Sequence, residues 1–304
     1  MTELLIKLRE LRNFDPDNYI DLKTKQINEF FKINNLDSVI LGISGGIDSA
    51  TTLALLMRSA NIVGSPIKKV VAISMPIFCS GTTGQVDAIN IALDDIEKYK
   101  SDKKFKIQVD DLSKAHSAFL EQRKGESTPF SSGQLASIVR TPHLYFNAAI
   151  LQTEGYKSLV CGTTNRDESY LIGFYGKASD AMVDLQPIFD IHKSEVYQIA
   201  KKMNVSNEIV ERQPMGDVFD GKTDIEMIGA SYDSIELAAH INEYHLFIND
   251  NVYLSELRNT FTESAEYKNI FKLHHINSHK YKVGLPFHIL SVFKQHDRWE
   301  DFNQ

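Results

Sequence analysis

The sequence predicts an α/β fold: a Rossmann-like, doubly wound parallel sheet with flanking helices and a helical C-terminal region. Two observations predict it. Short runs of β-branched and apolar residues alternate with helical stretches over about the first 200 residues, and two of these runs end in polar, glycine-containing loops. Buried strands that alternate with helices indicate a parallel sheet covered on both faces, in which ligands bind beyond the carboxyl ends of the strands.

The composition excludes several classes of protein. The 304 residues are 42% hydrophobic and 24% charged, which argues against intrinsic disorder. The 33 basic and 40 acidic residues give a net charge of -7, an unfavourable balance for a nucleic-acid binder. No apolar run approaches the ~20 residues of a membrane span, and two cysteines are too few for a disulfide framework. We therefore expect a cytoplasmic protein that binds neither nucleic acid nor membrane.

Apolar spacing places the elements in order along the chain. Two N-terminal helices are separated at Asp15-Pro16. Strands are predicted over 38–43, 69–74, 105–109 and 157–161, and helices over 48–58, 85–99, 113–121 and 134–153. Beyond position 190 the pattern is mostly helical, with one helix opening at 190 and another over 231–248.

The segment Ser44-Gly-Gly-Ile-Asp-Ser49 follows the first predicted strand and opens a helix. Glycines let the backbone approach a ligand closely, and a helix N-terminus offers unpaired N–H groups and a positive dipole end, so the segment favours phosphate binding. Asp48 would repel phosphate itself but suits a Mg²⁺ ion beside phosphates. The segment lacks the lysine of a Walker loop. It resembles the pyrophosphate loop of the N-type ATP pyrophosphatases, which implies cleavage of ATP between the α and β phosphates and an adenylated intermediate.

A second block resembles the NAD synthetases within that superfamily. Its motifs are Gly162-Thr-Thr-Asn-Arg-Asp-Glu168, Gly173-Phe-Tyr-Gly-Lys-Ala-Ser-Asp180 and the segment from Asp184-Leu-Gln-Pro to Lys193. Further similarities are Gly229-Ala-Ser-Tyr-Asp-Ser-Ile-Glu236, Ser278-His-Lys280 and Asp297-Arg-Trp299. The resemblance covers roughly residues 36–300. It implies ATP-dependent amidation of nicotinic acid adenine dinucleotide (deamido-NAD) with ammonia, which gives NAD, AMP and pyrophosphate through a dinucleotide-adenylate.

The resemblance also implies roles for individual residues. The ATP-binding positions are Gly42, Ile43, Ser44, Gly45, Gly46, Asp48, Ser49, Ser74, Met75, Arg140, Thr163 and Lys193. Asp48 and Glu168 are the implied Mg²⁺ ligands, and Asp48, Lys193 and Asp180 are the candidate catalytic residues. Deamido-NAD would be bound by Phe174, Lys177, Asp180, Asp184 and Lys280. Without the resemblance, Lys193 would be interpreted as a solvated helix residue and Asp180 as a capping residue.

The sequence departs from the family pattern at several positions. Gln134, Ile138 and Thr141 replace an asparagine, an arginine and a methionine around Arg140, and Met215 stands where many relatives have threonine. Five histidines lie between 274 and 296, but their spacing matches no standard zinc pattern.

We predict a single NAD synthetase domain over 1–304, with N-terminal helices over 1–35, an ATP pyrophosphatase core over 36–200 and a mainly helical part over 201–304. We expect no glutaminase domain, so ammonia would be free or delivered by a separate glutaminase. The family resemblance implies a homodimer. Two alternatives stay open: another pyrophosphate-loop adenylating enzyme, such as an amidotransferase or a tRNA-modifying enzyme, and a non-catalytic nucleotide-binding module.

Overall fold

A computed structural model describes residues 2–78, 84–123, 127–213, 223–280 and 288–293. Within these ranges, six strands form one sheet in the order β3-β2-β1-β4-β5-β6, and every neighbouring pair is parallel. They are β1 Ser38–Gly42, β2 Lys69–Ser74, β3 Phe105–Val109, β4 Ser158–Cys161, β5 Leu185–Gln186 and β6 His288–Ile289. The predicted parallel sheet is confirmed. The sequence did not indicate β5 and β6, because two-residue strands carry no periodic signal.

The chain crosses from one half of the sheet to the other beside β1. From β1, strands β2 and β3 follow toward one edge of the sheet, whereas β4 pairs with the other side of β1 and continues toward the opposite edge. In register, Ser38 is the partner of both Lys69 and Ser158. The carboxyl ends of β1 and β4 therefore lie next to each other at a topological switch point, where open α/β sheets bind ligands.

The described residues form thirteen α-helices. They are α1 Thr2–Arg12, α2 Pro16–Ile33, α3 Ile47–Asn61, α4 Gly84–Ile96, α5 Ser113–Glu121, α6 Pro129–Thr153, α7 Lys193–Lys202, α8 Asn207–Glu211, α9 Asp224–Ile228, α10 Tyr232–Glu243, α11 His245–Asn249, α12 Val252–Thr262 and α13 Ala265–Asn277. There are also 3₁₀ turns at Glu97–Tyr99 and Ser278–Lys280 and a π-helical turn at Asp167–Leu171. None of the described helices is long and apolar enough to cross a membrane.

Helices α3 and α4 differ from the sequence prediction by up to three residues at their ends, and three other boundaries differ for reasons that the structure shows. Helix α6 begins five residues early because the Thr128 side chain accepts a hydrogen bond from the Ser131 amide and caps it. The predicted helix over 231–248 is interrupted at Tyr244, which separates α10 from α11. The helix expected from 190 begins at Lys193, after the N-cap residue His192.

Hydrophobic packing on both faces of the sheet confirms the doubly wound architecture. Val39 and Leu41 pack in a cluster with α2, α3 and α7, whereas Ile40 packs in a second cluster with residues of α6. This alternation follows from the opposite directions of successive side chains in a strand. Cys161 is 1% exposed and packs in the first cluster, and burial raises the pKa of its thiol. It is therefore a small core residue, as predicted, and not a nucleophile.

The two N-terminal helices pack against different parts of the molecule. Helix α2 covers the sheet, but Leu4, Leu5 and Leu8 of α1 are buried in a third cluster with residues of α10, α12 and α13. Helix α1 thus belongs by its packing with the helices that follow residue 223. Met215 and the segment Asp297-Arg-Trp299 lie outside the described residues.

Candidate active site

The loop between β1 and α3 is held in one conformation by its own serines and by α4. Ser49 Oγ donates to the Gly46 carbonyl at 2.9 Å, and the Ser44 amide donates to Ser49 Oγ at 3.3 Å. Gly45 has φ +78°, and a Cβ there would stand 2.3 Å from the Ala88 carbonyl oxygen, so glycine is required. Gly46 supplies no side-chain cap to α3. The first-turn amides of α3 are thereby left to an anion.

A cleft opens at the carboxyl ends of β1, β2 and β4. Of the predicted ATP-binding residues, the cleft is lined by Gly42, Ile43, Ser44, Ser49, Ser74, Met75, Arg140 and Thr163. Arg140 Nε donates to the Met75 carbonyl at 3.0 Å, which ties α6 to the end of β2. Gly45, Gly46, Asp48 and Lys193 are not part of this lining.

Asp48, Glu168 and Lys193 meet beside the Ser44–Ser49 loop. Lys193 Nζ lies 2.5 Å from Asp48 Oδ2 and 3.3 Å from Glu168 Oε1. Asp48 is in the first turn of α3, Glu168 in the π-helical turn after β4, and Lys193 at the start of α7. The expectation that Asp48 and Glu168 share one edge of the sheet is confirmed. Lys193 has a 4% exposed side chain, so it is not a solvated helix residue.

Burial and charge act in opposite directions on the ionisation of these groups. Burial, partly offset by Lys193, raises the pKa of Glu168 to about 7, and the charge of Asp48 contributes to the rise. Burial alone would lower the pKa of Lys193, but the carboxylates of Asp48 and Glu168 outweigh it and raise that pKa. The two carboxylates therefore hold Lys193 in its charged form.

Three further residues complete the cluster and were not singled out from the sequence. Asn165 Nδ2 donates to Asp48 Oδ1 at 2.9 Å. The Tyr232 hydroxyl lies 3.0 Å from Glu168 Oε1 and 2.8 Å from Asp224 Oδ2, and the Lys193 ammonium stands 4.7 Å from the centre of the Tyr232 ring. Asn165 and Tyr232 are within recognised motifs, but only the fold shows which member of each motif reaches the carboxylates.

Of the predicted deamido-NAD residues, Asp180 lines the cleft, whereas Phe174, Lys177, Asp184 and Lys280 are not among its lining residues. Asp180 lines the cleft and accepts a hydrogen bond from Ser179 Oγ at 3.1 Å. Lys280 Nζ donates to the carbonyls of Gly173 (2.6 Å) and Tyr175 (2.5 Å), on either side of Phe174. The exposed Lys177 donates to the His279 carbonyl at 3.1 Å. The C-terminal turn is thus fastened to the 173–180 segment.

The carboxylate of Asp184 is occupied by hydrogen bonds within the fold. Its Oδ2 accepts the Val160 amide at 2.7 Å and its Oδ1 accepts the Tyr145 hydroxyl at 3.2 Å. It is not among the residues that line the cleft. The structure therefore uses its carboxylate to join β4, α6 and the start of β5, and does not bring it to the site.

A second, buried polar layer lies behind the cluster. Asp167 Oδ1 lies 2.6 Å from His192 Nδ1, and Asp167 Oδ2 accepts the Lys193 amide at 2.7 Å. Glu195 accepts the His192 amide at 2.9 Å and pairs with both Nε and Nη2 of Arg12 from α1. These bonds fix the first turn of α7, and with it the backbone from which the Lys193 side chain extends.

Comparison with known proteins agrees with the motifs. The NAD synthase family matches residues 19–284 of the chain. A relative from Thermoplasma acidophilum named NH(3)-dependent NAD(+) synthetase is 30% identical over 267 residues, which are 86% of this chain and 95% of the relative. The chain belongs to the NAD synthase family. It is accordingly a ligase, and the resemblance found in the sequence is confirmed.

Solved structures have the same fold. The NH3-dependent NAD synthetase from Campylobacter jejuni superposes with a TM-score of 0.62 at 25% identity, covering 91% of this chain and 100% of that one. An NMN synthetase from Francisella tularensis superposes with a TM-score of 0.68 at 22% identity, covering 92% and 100%, and supports the fold alone. NAD synthases use ATP as a co-substrate, which matches the cleft and loop described above.

Proposed function

We propose that this chain joins ammonia to deamido-NAD at the expense of ATP, and releases NAD, AMP and pyrophosphate. The observation that carries the proposal is the convergence of Asp48, Glu168 and Lys193 beside the Ser44–Ser49 loop and the cleft at the strand ends. The relatives named NH(3)-dependent NAD(+) synthetase support the choice of product and of nitrogen donor.

ATP would bind with its adenosine in the cleft and its phosphates toward the loop. The hydroxyls of Ser44 and Thr163 and the first-turn amides of α3 offer hydrogen-bond donors to phosphate oxygens. Lys193 adds a point charge on a flexible stem. The loop amides are fixed before the ligand arrives, so they stabilise the charge that develops on the phosphates without reorganisation.

The residues beside the loop fit a magnesium ion. Asp48 and Glu168 direct one carboxylate oxygen each toward a single cationic atom, the Lys193 nitrogen. Mg²⁺ is usually held by one or two carboxylates together with substrate phosphates. We propose that Asp48 and Glu168 hold Mg²⁺, which when bound neutralises phosphate charge. Lys193 would then turn from the carboxylates toward the phosphates, since the same oxygens cannot serve both cations.

The reaction proceeds in two displacements. A carboxylate oxygen of deamido-NAD attacks the α-phosphorus of ATP, a P–O bond forms, and the bond to pyrophosphate breaks. Ammonia then attacks the acyl carbon, and AMP leaves with the carboxylate oxygen. Ammonia must be unprotonated to attack and loses a proton afterwards. Asp180, which lines the cleft, is the proposed acceptor of that proton.

We propose that the protein is a homodimer and that α6 contributes to the interface. Ile138, Phe146 and Ile150 of this helix are 40%, 63% and 39% exposed, and they are close to one another around the helix axis. Exposed large apolar side chains that cluster in this way are typical of interaction surfaces. Light scattering should give the mass of a dimer for the unaltered chain and that of a monomer for Phe146→Asp.

The remaining expectations stay predictions: one NAD synthetase domain over 1–304, ammonia either free or supplied by a separate glutaminase, and a cytoplasmic location. The net charge of -7 continues to argue against a nucleic-acid substrate.

The experiment that tests the proposal combines purified protein with deamido-NAD, ATP, Mg²⁺ and ammonium and measures NAD, AMP and pyrophosphate. Equal amounts of the three products are expected. Parallel reactions should contain the mononucleotide acid that would yield NMN, because a protein of similar fold is named an NMN synthetase. ATP cleavage to AMP and pyrophosphate without NAD would contradict the proposal and favour another pyrophosphate-loop enzyme.

A further inference from the structure

We propose that His192, His240 and Glu243 form a second, buried site for a divalent transition-metal ion, and that zinc suits this donor set best. Each residue has one potential ligand atom, and these atoms lie within 4.8 Å of one another. His192 precedes α7, and the other two residues lie in the last turn of α10. The side chains of both histidines are 0% exposed and that of Glu243 is 14% exposed.

An unpaired imidazole nitrogen is the first argument for a ligand. His192 Nδ1 lies 2.6 Å from Asp167 Oδ1, so this nitrogen carries the proton and Nε2 has a free lone pair. In the part of the chain that the structure describes, His192 Nε2 is buried and makes no hydrogen bond, whereas His240 Nε2 faces Glu236 Oε1 at 3.4 Å, which leaves Nδ1 for an ion. A buried polar atom without a partner is costly, and coordination of a metal ion would satisfy His192 Nε2.

The surroundings of His192 are those of a metal ligand. Metal-bound histidines commonly donate their second ring nitrogen to a carboxylate, which fixes the ring and makes it a better ligand. Asp167 supplies that carboxylate from a fully buried position. The ring centroids of His192 and His240 are 4.6 Å apart, so one ion can contact both residues.

Glu243 is oriented toward the same point. Its Oε1 is held by the Arg166 guanidinium, which lies 4.2 Å from the centre of the Tyr170 ring. Its Oε2 lies 3.3 Å from His240 Nδ1. The arginine thus uses one carboxylate oxygen and leaves the other directed at His240 Nδ1, the nitrogen that would coordinate the ion.

The local charge accommodates a dication. Burial lowers the pKa of His192 and of His240, so both imidazoles are neutral and able to coordinate. Among the described residues, four carboxylates and three guanidinium groups surround them: Asp167, Glu195, Glu236 and Glu243 against Arg9, Arg12 and Arg166. Burial raises the pKa of Asp167 and of Glu195, and a bound dication would favour the charged form of both carboxyls.

The donor types distinguish this site from the Asp48–Glu168 pair. Two imidazoles and one carboxylate suit zinc, whereas oxygen ligands alone suit magnesium. Zinc bonds of about 2.0–2.2 Å place tetrahedral ligand atoms about 3.3 Å apart, so the ligand atoms, which lie within 4.8 Å of one another, must close by up to about 1.5 Å. Water would take the fourth position, and Glu236, whose Oε1 lies 3.4 Å from His240 Nε2, would hold the second nitrogen of that ring. The ion would brace the start of α7 against α10.

The test is metal analysis of full-length protein that carries no polyhistidine tag, grown with zinc and purified without chelators. We expect about one tightly held zinc per chain, as in structural zinc sites. His192→Gln and His240→Gln should each lose it. His116→Gln is the matched control, because His116 is also buried but its Nε2 is paired with the Ser132 carbonyl at 3.0 Å. This variant should keep the metal.

X-ray absorption at the zinc edge of the unaltered protein provides a readout that does not depend on whether the variants fold. Scattering from two imidazoles is expected. Protein without stoichiometric zinc that also shows no visible absorption band on titration with Co²⁺ would overturn the proposal. Zinc retained at the same level in both histidine variants would overturn it as well, because the metal would then lie elsewhere. Neither outcome bears on NAD formation.

Discussion

In the π-helical turn after β4 and at the start of α7, neighbouring residues have side chains in two different environments, one beside the cleft and one in the buried polar layer. Glu168 and Lys193 extend toward Asp48, where their side chains are 16% and 4% exposed beside the cleft. Asp167 and His192, one position earlier in each segment, pair with each other at 0% exposure. The first pair lies beside the cleft, where a ligand could contact it. The second pair has its polar groups bonded to other groups inside the protein.

The difference explains how the site keeps its geometry. Lys193 can exchange partners, because its amide is anchored by Asp167 while its ammonium is shared between two carboxylates. The buried groups lack this freedom, since their carboxylates also accept hydrogen bonds from backbone amides, as Glu195 does from His192 and Asp167 does from Lys193. Substitutions at the cleft should therefore reduce turnover and leave the fold intact, whereas substitutions in the buried layer should destabilise the fold.

The largest effect on turnover is expected for Asp48→Asn. The amide keeps the size of the side chain but removes the negative charge that faces Lys193 and the proposed Mg²⁺. NAD formation should fall by about 10³-fold or more, because electrostatic stabilisation is a large part of such catalysis. The melting temperature should stay within a few degrees of the unaltered protein, and Asp21→Asn, at an exposed carboxylate, should be neutral on both measures. Near-normal turnover of Asp48→Asn would refute the metal role.

Arg12→Met should have the largest effect on stability. The side chains of Arg12 and Glu195 are 7% and 3% exposed, and removal of one partner leaves a buried charge, at a cost of about 3–5 kcal/mol. Arg58→Met is the matched control, because the Arg58–Asp21 pair is 49% and 70% exposed and such pairs contribute about 0–1 kcal/mol. Urea unfolding measures both. Equal losses in the two variants would contradict the distinction between buried and exposed charge.

The free energy of unfolding should include a contribution from the Glu236 carboxylate that is lost in acid. Burial alone would raise the pKa of this carboxyl, but hydrogen bonds from Arg9 and His240 outweigh it and lower the pKa to about 2. A lowered carboxyl pKa contributes stability above its ordinary value, which is lost as pH falls toward 2. The contribution is on the order of 2–3 kcal/mol.

In a chelating buffer, the stability difference between the unaltered protein and Glu236→Gln should be largest above pH 5 and should shrink between pH 4.5 and 2. A constant difference across this range would show that the Glu236 charge does not stabilise the fold.

Tyr232→Phe should produce the smallest effect. It removes a hydroxyl that contacts Glu168 and Asp224 but keeps the ring beside Lys193. The loss of one such hydrogen bond costs about 1 kcal/mol, so the apparent affinity for Mg²⁺ should fall roughly fivefold. Tyr253→Phe, at an exposed hydroxyl that binds Glu3, is the control. An unchanged Mg²⁺ requirement in Tyr232→Phe would separate Tyr232 from the metal site.

The sequence predicted the cleft side of this comparison far better than the buried side. The loop from Ser44 to Ser49 and the block that contains Glu168 are contiguous motifs, so their chemistry and their place at strand ends could be recognised directly. The contacts of Arg12 with Glu195 and of His192 with His240 join segments that are far apart in sequence. No local pattern predicts such pairs. Asp184 shows the opposite limitation. It belongs to a recognised motif, but its carboxylate is hydrogen-bonded within the fold, which the motif alone does not reveal.

The most direct test of the proposed reaction is transfer of oxygen from the acid substrate to AMP. Deamido-NAD labelled with ¹⁸O in the nicotinate carboxylate should be converted in the presence of ATP, Mg²⁺ and ammonium, and the AMP and NAD analysed by mass spectrometry. Attack of the carboxylate on the α-phosphorus predicts one ¹⁸O in each AMP and one in each NAD. Unlabelled AMP, or ADP and phosphate in place of AMP and pyrophosphate, would contradict the adenylate mechanism.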